Sequence, residues 1–374
     1  MSKGTTKIAV VGAGHLGRIH ARLLPQIRGA KLAAVADPSP AAHKLILKEH
    51  NVPVFSDYTK LLEADVDAVI IATPTVTHFD IAKQFLENSV HCLIEKPMTA
   101  CPEHAQVLAD LAKENDCVLS VGHVEQFNPA IEFAKRAVGT PKFFQASRCS
   151  GYTFRSTDIG VVHDLMIHDI ELVNSMVPGN LKDCRANGVS VFGKDEDIAQ
   201  ARLEFDCGAV ANLTASRCSF VPERSFMVFG TDGFASVDLA NHTVQSVSVP
   251  GWLKQRAVEF ETLTPEQKAF VSAELFQEVL HKTTTITPTA NAILEEQKDW
   301  LKAITTGRSP RNSAENALEA VQIAGAVIEA INAHRWDSTG NATGALFNLP
   351  ATDNDPIPVE LSRDGLQSLP KKAA

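Results

Sequence analysis

Through the first third of the chain, short unbroken apolar runs alternate with longer stretches in which apolar and polar residues recur at helical spacing. The runs are "KIAVV" (7–11), "KLAAVA" (31–36), "DAVIIA" (67–72), "VHCLIE" (90–95) and "CVLSV" (117–121); the amphipathic stretches lie at 15–26, 39–49, 77–88 and 101–115. Strands that read as continuous Val, Ile and Ala are buried on both faces, as parallel strands beneath crossover helices must be. The pattern predicts a doubly wound α/β domain over residues 1–125.

Beyond Pro129 the texture changes. A helix at 129–138, a strand near 141–149 and a helix at 161–176 precede β-rich segments from 183 to 249, which are cut by the turn signals "DCG" (206–208) and "TDG" (231–233). This predicts an antiparallel meander and hence an α+β C-terminal domain built on an open sheet. Residues 264–333 return to 3.6-residue spacing, with Ser313 as a helix start, and are grouped with this second domain, 126–336. Residues 337–374, rich in Asn, Asp, Pro and Thr, read as an extended tail.

Composition narrows the class. A chain of 374 residues, 44% of them hydrophobic, is long enough to bury two cores. "MSKGTTK" leads straight into a strand and no apolar run reaches the roughly 18 residues of a membrane span, so a cytoplasmic protein is expected. Seven cysteines without C-x-x-C spacing argue for reduced thiols over zinc or a disulfide framework. A net charge of -9 with no basic block argues against nucleic acid or an anionic membrane as partner.

The first candidate chemistry is in "VVGAGHLGRIHA", where Gly12, Gly14 and Gly17 stand in G-x-G-x-x-G spacing between a strand and a helix, enclosing His15 and Leu16. The glycines allow a tight turn, close approach of a pyrophosphate and close helix–strand packing, and the helix N-terminus offers free N–H groups. Asp37 ends the second strand, where this Rossmann fingerprint expects an acid for the ribose 2′-hydroxyl. Its carboxylate would repel a 2′-phosphate, so NAD is expected rather than NADP. Ligands of such sheets lie beyond the carboxyl ends of the strands, which adds "ATPTVTH" (Thr73, Pro74, His78), "EKP" (Glu95, Lys96) and "VGHVEQFNP" (Gln126). Lys96, held by Pro97 beside a cationic nicotinamide, would be partly desolvated and so a readier proton donor.

In "GVVHDLMIHDIELV", Asp164 and His168 are four residues apart and share a helix face. That arrangement sets an acid beneath an imidazole, as an oriented general base requires. His163 and Asp169 are given structural roles. A metal site is not expected, because at most two or three of these four side chains can converge.

The ordered set "GAGHLG", "ATPTVTH", "EKP" and "DLMIHDIE" resembles the glucose-fructose oxidoreductase, inositol 2-dehydrogenase and rhizopine-catabolism (Gfo/Idh/MocA) family, from Lys7 to about Arg335. The resemblance implies that Lys96, Asp164 and His168 face the nicotinamide, that Glu95 and Pro97 position Lys96, and that the open sheet joins subunits of a homodimer or homotetramer. "VGHVEQFNPA" and "SRCSGYTFRSTDIGVVHDLMIHDIEL" look most like the nucleotide-sugar branch, especially UDP-N-acetylglucosamine 3-dehydrogenases, although that branch commonly carries Arg at the position of Gln126. Oxidation of C3 of a UDP-linked N-acetylhexosamine follows as the expectation, with Arg148 and Arg155 as diphosphate ligands. A dehydrogenase of a free sugar or inositol would have no need of those two arginines. A non-catalytic NAD-binding module would keep the glycines and Asp37 but have no use for Lys96 with Asp164 and His168.

Overall fold

The computed structural model describes residues 4–154, 156–192, 194–336 and 344–345. Its first sheet is all parallel: β1 (Thr6–Val11), β2 (Ala30–Ala36), β3 (Val54–Phe55), β4 (Ala68–Ile71), β5 (His91–Ile94) and β6 (Leu119–Val121), in the order β3-β2-β1-β4-β5-β6. The crossovers are α1 (His15–Leu23), α2 (Pro40–Glu49), α3 (His78–Glu87) and α4 (Pro102–Glu114). Ile8, Val10, Ile70, Ile71, Leu93 and Ile94 are fully buried, as continuous apolar strands predict. Strand order reverses between β1 and β4, and a crevice opens there at the carboxyl ends. The two-residue β3 was not visible in the apolar pattern.

α5 (Pro129–Val138) leads into the second sheet, whose strands are β7 (Pro141–Cys149), β8 (Leu181–Val189), β9 (Ile198–Phe205), β10 (Val210–Ser216), β11 (Glu223–Gly230), β12 (Gly233–Asp238), β13 (Thr243–Ser248) and β14 (His281–Ile286). Their order is β14-β13-β12-β11-β7-β10-β9-β8, antiparallel at every junction except β7 with β10. The helix α6 (Ile167–Asn174) packs with α5 on one face, over Phe144, Ala146, Phe226 and Val228. Phe143, Phe229 and Phe234 form a half-buried aromatic row on the opposite face.

The expectation for 264–333 needs correction in its interior. Between α7 (Gly251–Lys254) with α8 (Pro265–Ala273) and the last two helices, residues 281–286 form the edge strand β14, because "HKTTTI" is a β-branched run pairing with β13. α9 (Ala292–Thr306) then returns to the first domain: Trp300 and Leu301 pack with Ile8 and Val10, and Trp300 Nε1 donates to the Val118 carbonyl at 3.3 Å. α10 (Ala314–Ala333) spans the two cores, with Ala317 and Val321 against the parallel sheet and Ile323, Val327 and Ile331 against the second. The domains are thereby joined along α10 as well as through 122–129. Of the expected tail, only residues 344–345 fall among those described, and 337–343 and 346–374 lie outside them. No helix among the described residues is long and apolar enough to cross a membrane.

Candidate active site

The crevice above β1 and β4 is a cavity of about 710 Å³. Gly12, Gly14, His15, Leu16 and Asp37 line it, and so do Thr73 and Pro74. Gly12 has φ +91°, and a Cβ there would come within 2.5 Å of the Ala72 carbonyl oxygen. A Cβ at Gly17 would collide with the Gly12 carbonyl, so this glycine works behind the wall. α1 starts at Gly14 with no side-chain cap and no acid in its first turn, which leaves its N–H groups for an anion. Asp37 is fixed at the rim: Oδ2 accepts from Ala13 N–H at 2.7 Å and Oδ1 from Ser39 N–H at 2.8 Å. An open anion cradle, a ribose-side carboxylate and this volume fit a dinucleotide. Asp57 and Tyr58 also line the crevice. They follow β3, a strand too short to read in sequence.

Three expected cofactor residues sit elsewhere. His78 is buried, its ring nitrogens 2.9 Å from the carbonyl oxygens of Pro97 and Thr73. Burial pushes its pKa down against the two carbonyl contacts that raise it, and the ring bridges one strand end to the other. Glu95 is buried under the sheet edge, where Oε1 accepts from His20 Nε2 at 2.8 Å, and His20 Nδ1 in turn accepts from Gln297 Nε2 at 2.8 Å. Burial works to raise the Glu95 pKa, but the hydrogen bond from His20 and the nearby charge of Lys96 outweigh it and the carboxyl ends below its ordinary value. Gln126 is buried as well: Nε2 donates to Glu171 Oε1 at 2.6 Å, and Oε1 accepts from Lys135 Nζ at 2.8 Å. Its amide is fully engaged within the protein, which accounts for an uncharged residue at this position.

Lys96 stands beyond β5, with Nζ donating to the Asp164 carbonyl oxygen at 2.6 Å and to Asp164 Oδ1 at 3.1 Å. Three imidazoles lie within reach of its charge: His123, His163 and His168. Burial first, and then the Lys96 cation, pushes their pKa values down, to about 3 for His123, to about 4 for His163, and well below the usual range for His168. All three are therefore neutral. Both ring nitrogens of His123, Nε2 of His163 and Nδ1 of His168 are buried without a partner. A lone His after a strand carries no spacing signal, so the sequence pattern does not single out His123.

The expected Asp164–His168 pair does not form. Residues Val162–Met166 make a π turn, followed by α6. Its extra residue per turn swings Asp164 off the His168 face and toward Lys96. Glu196 fixes the start of the turn, with Oε1 accepting from Val162 N–H at 3.0 Å. The sequence expectation of an Asp164–His168 pair assumes a uniform 3.6-residue period, which the π turn breaks.

Arg148 is also corrected. It is buried, with Nε and Nη2 gripping Asp169 (2.9–3.3 Å) and Nη1 donating to Glu125 at 3.1 Å. Two carboxylates hold this guanidinium protonated, so it ties β7 to α6 and has little left for a diphosphate. The structural role expected for Asp169 is thus filled. Arg155 lies outside the described residues. Among the described residues no group of three His, Cys, Asp or Glu side chains converges as a metal site.

The family model "Oxidoreductase family, NAD-binding Rossmann fold" matches residues 6–123, and "GFO/IDH/MocA C-terminal domain" matches 130–236. UDP-N-acetylglucosamine 3-dehydrogenase of Acidithiobacillus ferrooxidans is 37% identical over 278 residues, 71% of this chain and 88% of the relative. A solved structure of a UDP-N-acetylglucosamine 3-dehydrogenase from that organism superposes with a TM-score of 0.75 at 33% identity, covering 87% of this chain and 97% of the other. The scyllo-inositol 2-dehydrogenase (NAD(+)) of Bacillus subtilis is 29% identical, over 71% of this chain and 82% of the relative.

Proposed function

Because the chain belongs to the Gfo/Idh/MocA oxidoreductase family, we propose that it is the NAD-dependent dehydrogenase of a sugar-ring secondary hydroxyl, specifically C3 of UDP-N-acetylglucosamine. The observation that carries the reading is Lys96, held by Asp164 beyond the strand ends, with its charge reaching a neutral His168. NAD held in the crevice supplies the hydride acceptor.

The chain supplies charge and proton handling. Lys96 Nζ donates to the carbinol oxygen and stabilises the negative charge that develops there, while Asp164 fixes the ammonium in place. His168 takes the hydroxyl proton on Nε2, the ring nitrogen that is not sealed inside without a partner. Asp37 selects the unphosphorylated ribose. The aromatic row of Phe143, Phe229 and Phe234 is the surface through which we place a homodimer or homotetramer. Seven free cysteines fit a reducing cytoplasm.

A second reading, oxidation of a free sugar or inositol, is favoured by one observation: Arg148, an expected diphosphate ligand, is committed to Asp169 and Glu125. The deciding experiment offers UDP-N-acetylglucosamine, other UDP-sugars, free N-acetylglucosamine and inositols with NAD, and follows NADH. Turnover of the UDP-sugar far above the free compounds is expected. Preference for an inositol would transfer the assignment to the second reading.

A further inference from the structure

With Arg148 withdrawn, the cations around His168 can be sorted by what already holds them. Lys96 is bound by Asp164, Arg148 by Asp169 and Glu125, and Arg217 by Asp197 at 2.5 Å and by the carbonyls of Ser156 and Ile159. Arg224 is different. It sits on β11 directly opposite Arg148 on β7, and on a strand the residues two and four further along, Phe226 and Val228, share its face. That face is the one α6 covers. Arg224 is exposed, at the point where the sheet runs out past α6, and its charge is felt by both His168 and Asp169. Among the described residues its guanidinium has no hydrogen-bond or ion-pair partner.

An arginine without a partner near a neutral base, in a site whose other described cations are neutralised, is suited to an anionic part of the substrate that lies next to the reacting ring. Guanidinium recognises phosphate oxygens through two parallel N–H donors, and no protein group among the described residues engages those of Arg224. We propose that Arg224 is the ligand of the substrate diphosphate, holding a nucleotide sugar by its pyrophosphate while the hexose ring lies at Lys96 and His168. This rests on the nucleotide-sugar reading above and, with Arg148 assigned to the fold and Arg155 outside the described residues, names a described residue for that role.

The test uses the full chain, the variants Arg224→Gln and Arg224→Lys, and UDP as the binding probe. Calorimetry of UDP binding to the NADH-loaded protein should show about a ten- to hundredfold weaker Kd in Arg224→Gln, with partial recovery in Arg224→Lys. The KM for UDP-N-acetylglucosamine should rise by the same factor while kcat and the KM for NAD hold near wild type. Wild-type UDP affinity and KM in Arg224→Gln, in a protein that turns over UDP-sugars, would overturn the inference and leave the substrate reading standing. A loss in kcat alone, or a change in subunit mass by light scattering, would likewise overturn it by making Arg224 a catalytic or interface residue. A wild type that ignores every UDP-sugar and oxidises a free polyol overturns the substrate reading first and the inference with it.

Discussion

Asp164 holds Lys96 and leaves His168 without a carboxylate: Nζ lies 2.6 Å from the Asp164 carbonyl oxygen and 3.1 Å from Oδ1. Two acceptors on one residue, one of them backbone, make the lysine position robust to side-chain change. Asp164→Asn keeps a neutral acceptor and removes only the charge. Turnover should then fall by about tenfold, the cost of one charge-assisted hydrogen bond. His168→Ala and Lys96→Ala should each cost about 10²–10⁴, with NAD affinity retained. Steady-state kinetics of the three variants decides this. Asp164→Asn as slow as His168→Ala would mean that the acid serves the imidazole after all.

Asp37 carries two loads, since its oxygens hold the backbone of Ala13 and of Ser39 as well as taking the proposed place beside the ribose. Asp37→Ser should therefore raise the KM for NAD. Removal of a carboxylate from beside a 2′-phosphate should at the same time improve kcat/KM for NADP by about tenfold, a charge–charge effect of about 1 kcal/mol or slightly more. Measured specificity ratios for the two cofactors check it. A wild type that prefers NADP would refute the assignment of Asp37.

How much of this was legible beforehand depends on the range of the interaction. The five long parallel strands, the Gly12–Gly17 loop and Lys96 at a strand end follow from local apolar runs and turn chemistry, which a single chain displays directly. The partner of Asp164 does not, because a π turn at 162–166 changes the local period without any proline or glycine to announce it. Arg148 and Arg224 are indistinguishable in sequence. Only the register that sets them opposite each other, with Asp169 beneath one of them, separates a structural ion pair from a cation left for a ligand. α9 carries a helical pattern that fits either domain, and the burial of Trp300 against β1 decides it.

Arg148 is expected to matter for stability before it matters for substrate. Arg148→Met leaves Asp169 and Glu125 facing each other without a counter-charge, at a cost of about 3–5 kcal/mol. Thermal denaturation should show a large fall in Tm, partly recovered when Asp169→Leu is added, since an apolar pair can replace a buried ion pair. An unchanged Tm with a raised KM for the UDP-sugar would return Arg148 to the diphosphate.

Glu171, on α6, lies buried with Oε1 accepting from Gln126 and Oε2 without a partner. Burial pushes its pKa up to about 8, against the Gln126 bond and the Lys135 charge, which pull it down. The folded protein therefore keeps this proton where the unfolded chain has lost it. Below the ordinary value of 4.5 both states are protonated and the favourable contribution is fully present. As pH rises from there through about 8 the contribution is lost, with a slope approaching about 1.4 kcal/mol per pH unit, and above that window nothing more is lost. Glu171→Gln cannot ionise and still offers an oxygen to Gln126. Denaturant titrations across the window should show wild-type stability declining relative to Glu171→Gln, and the difference between the two curves cancels every other titrating group. Parallel curves would mean that Glu171 is ionised in the folded state and paired with Lys135.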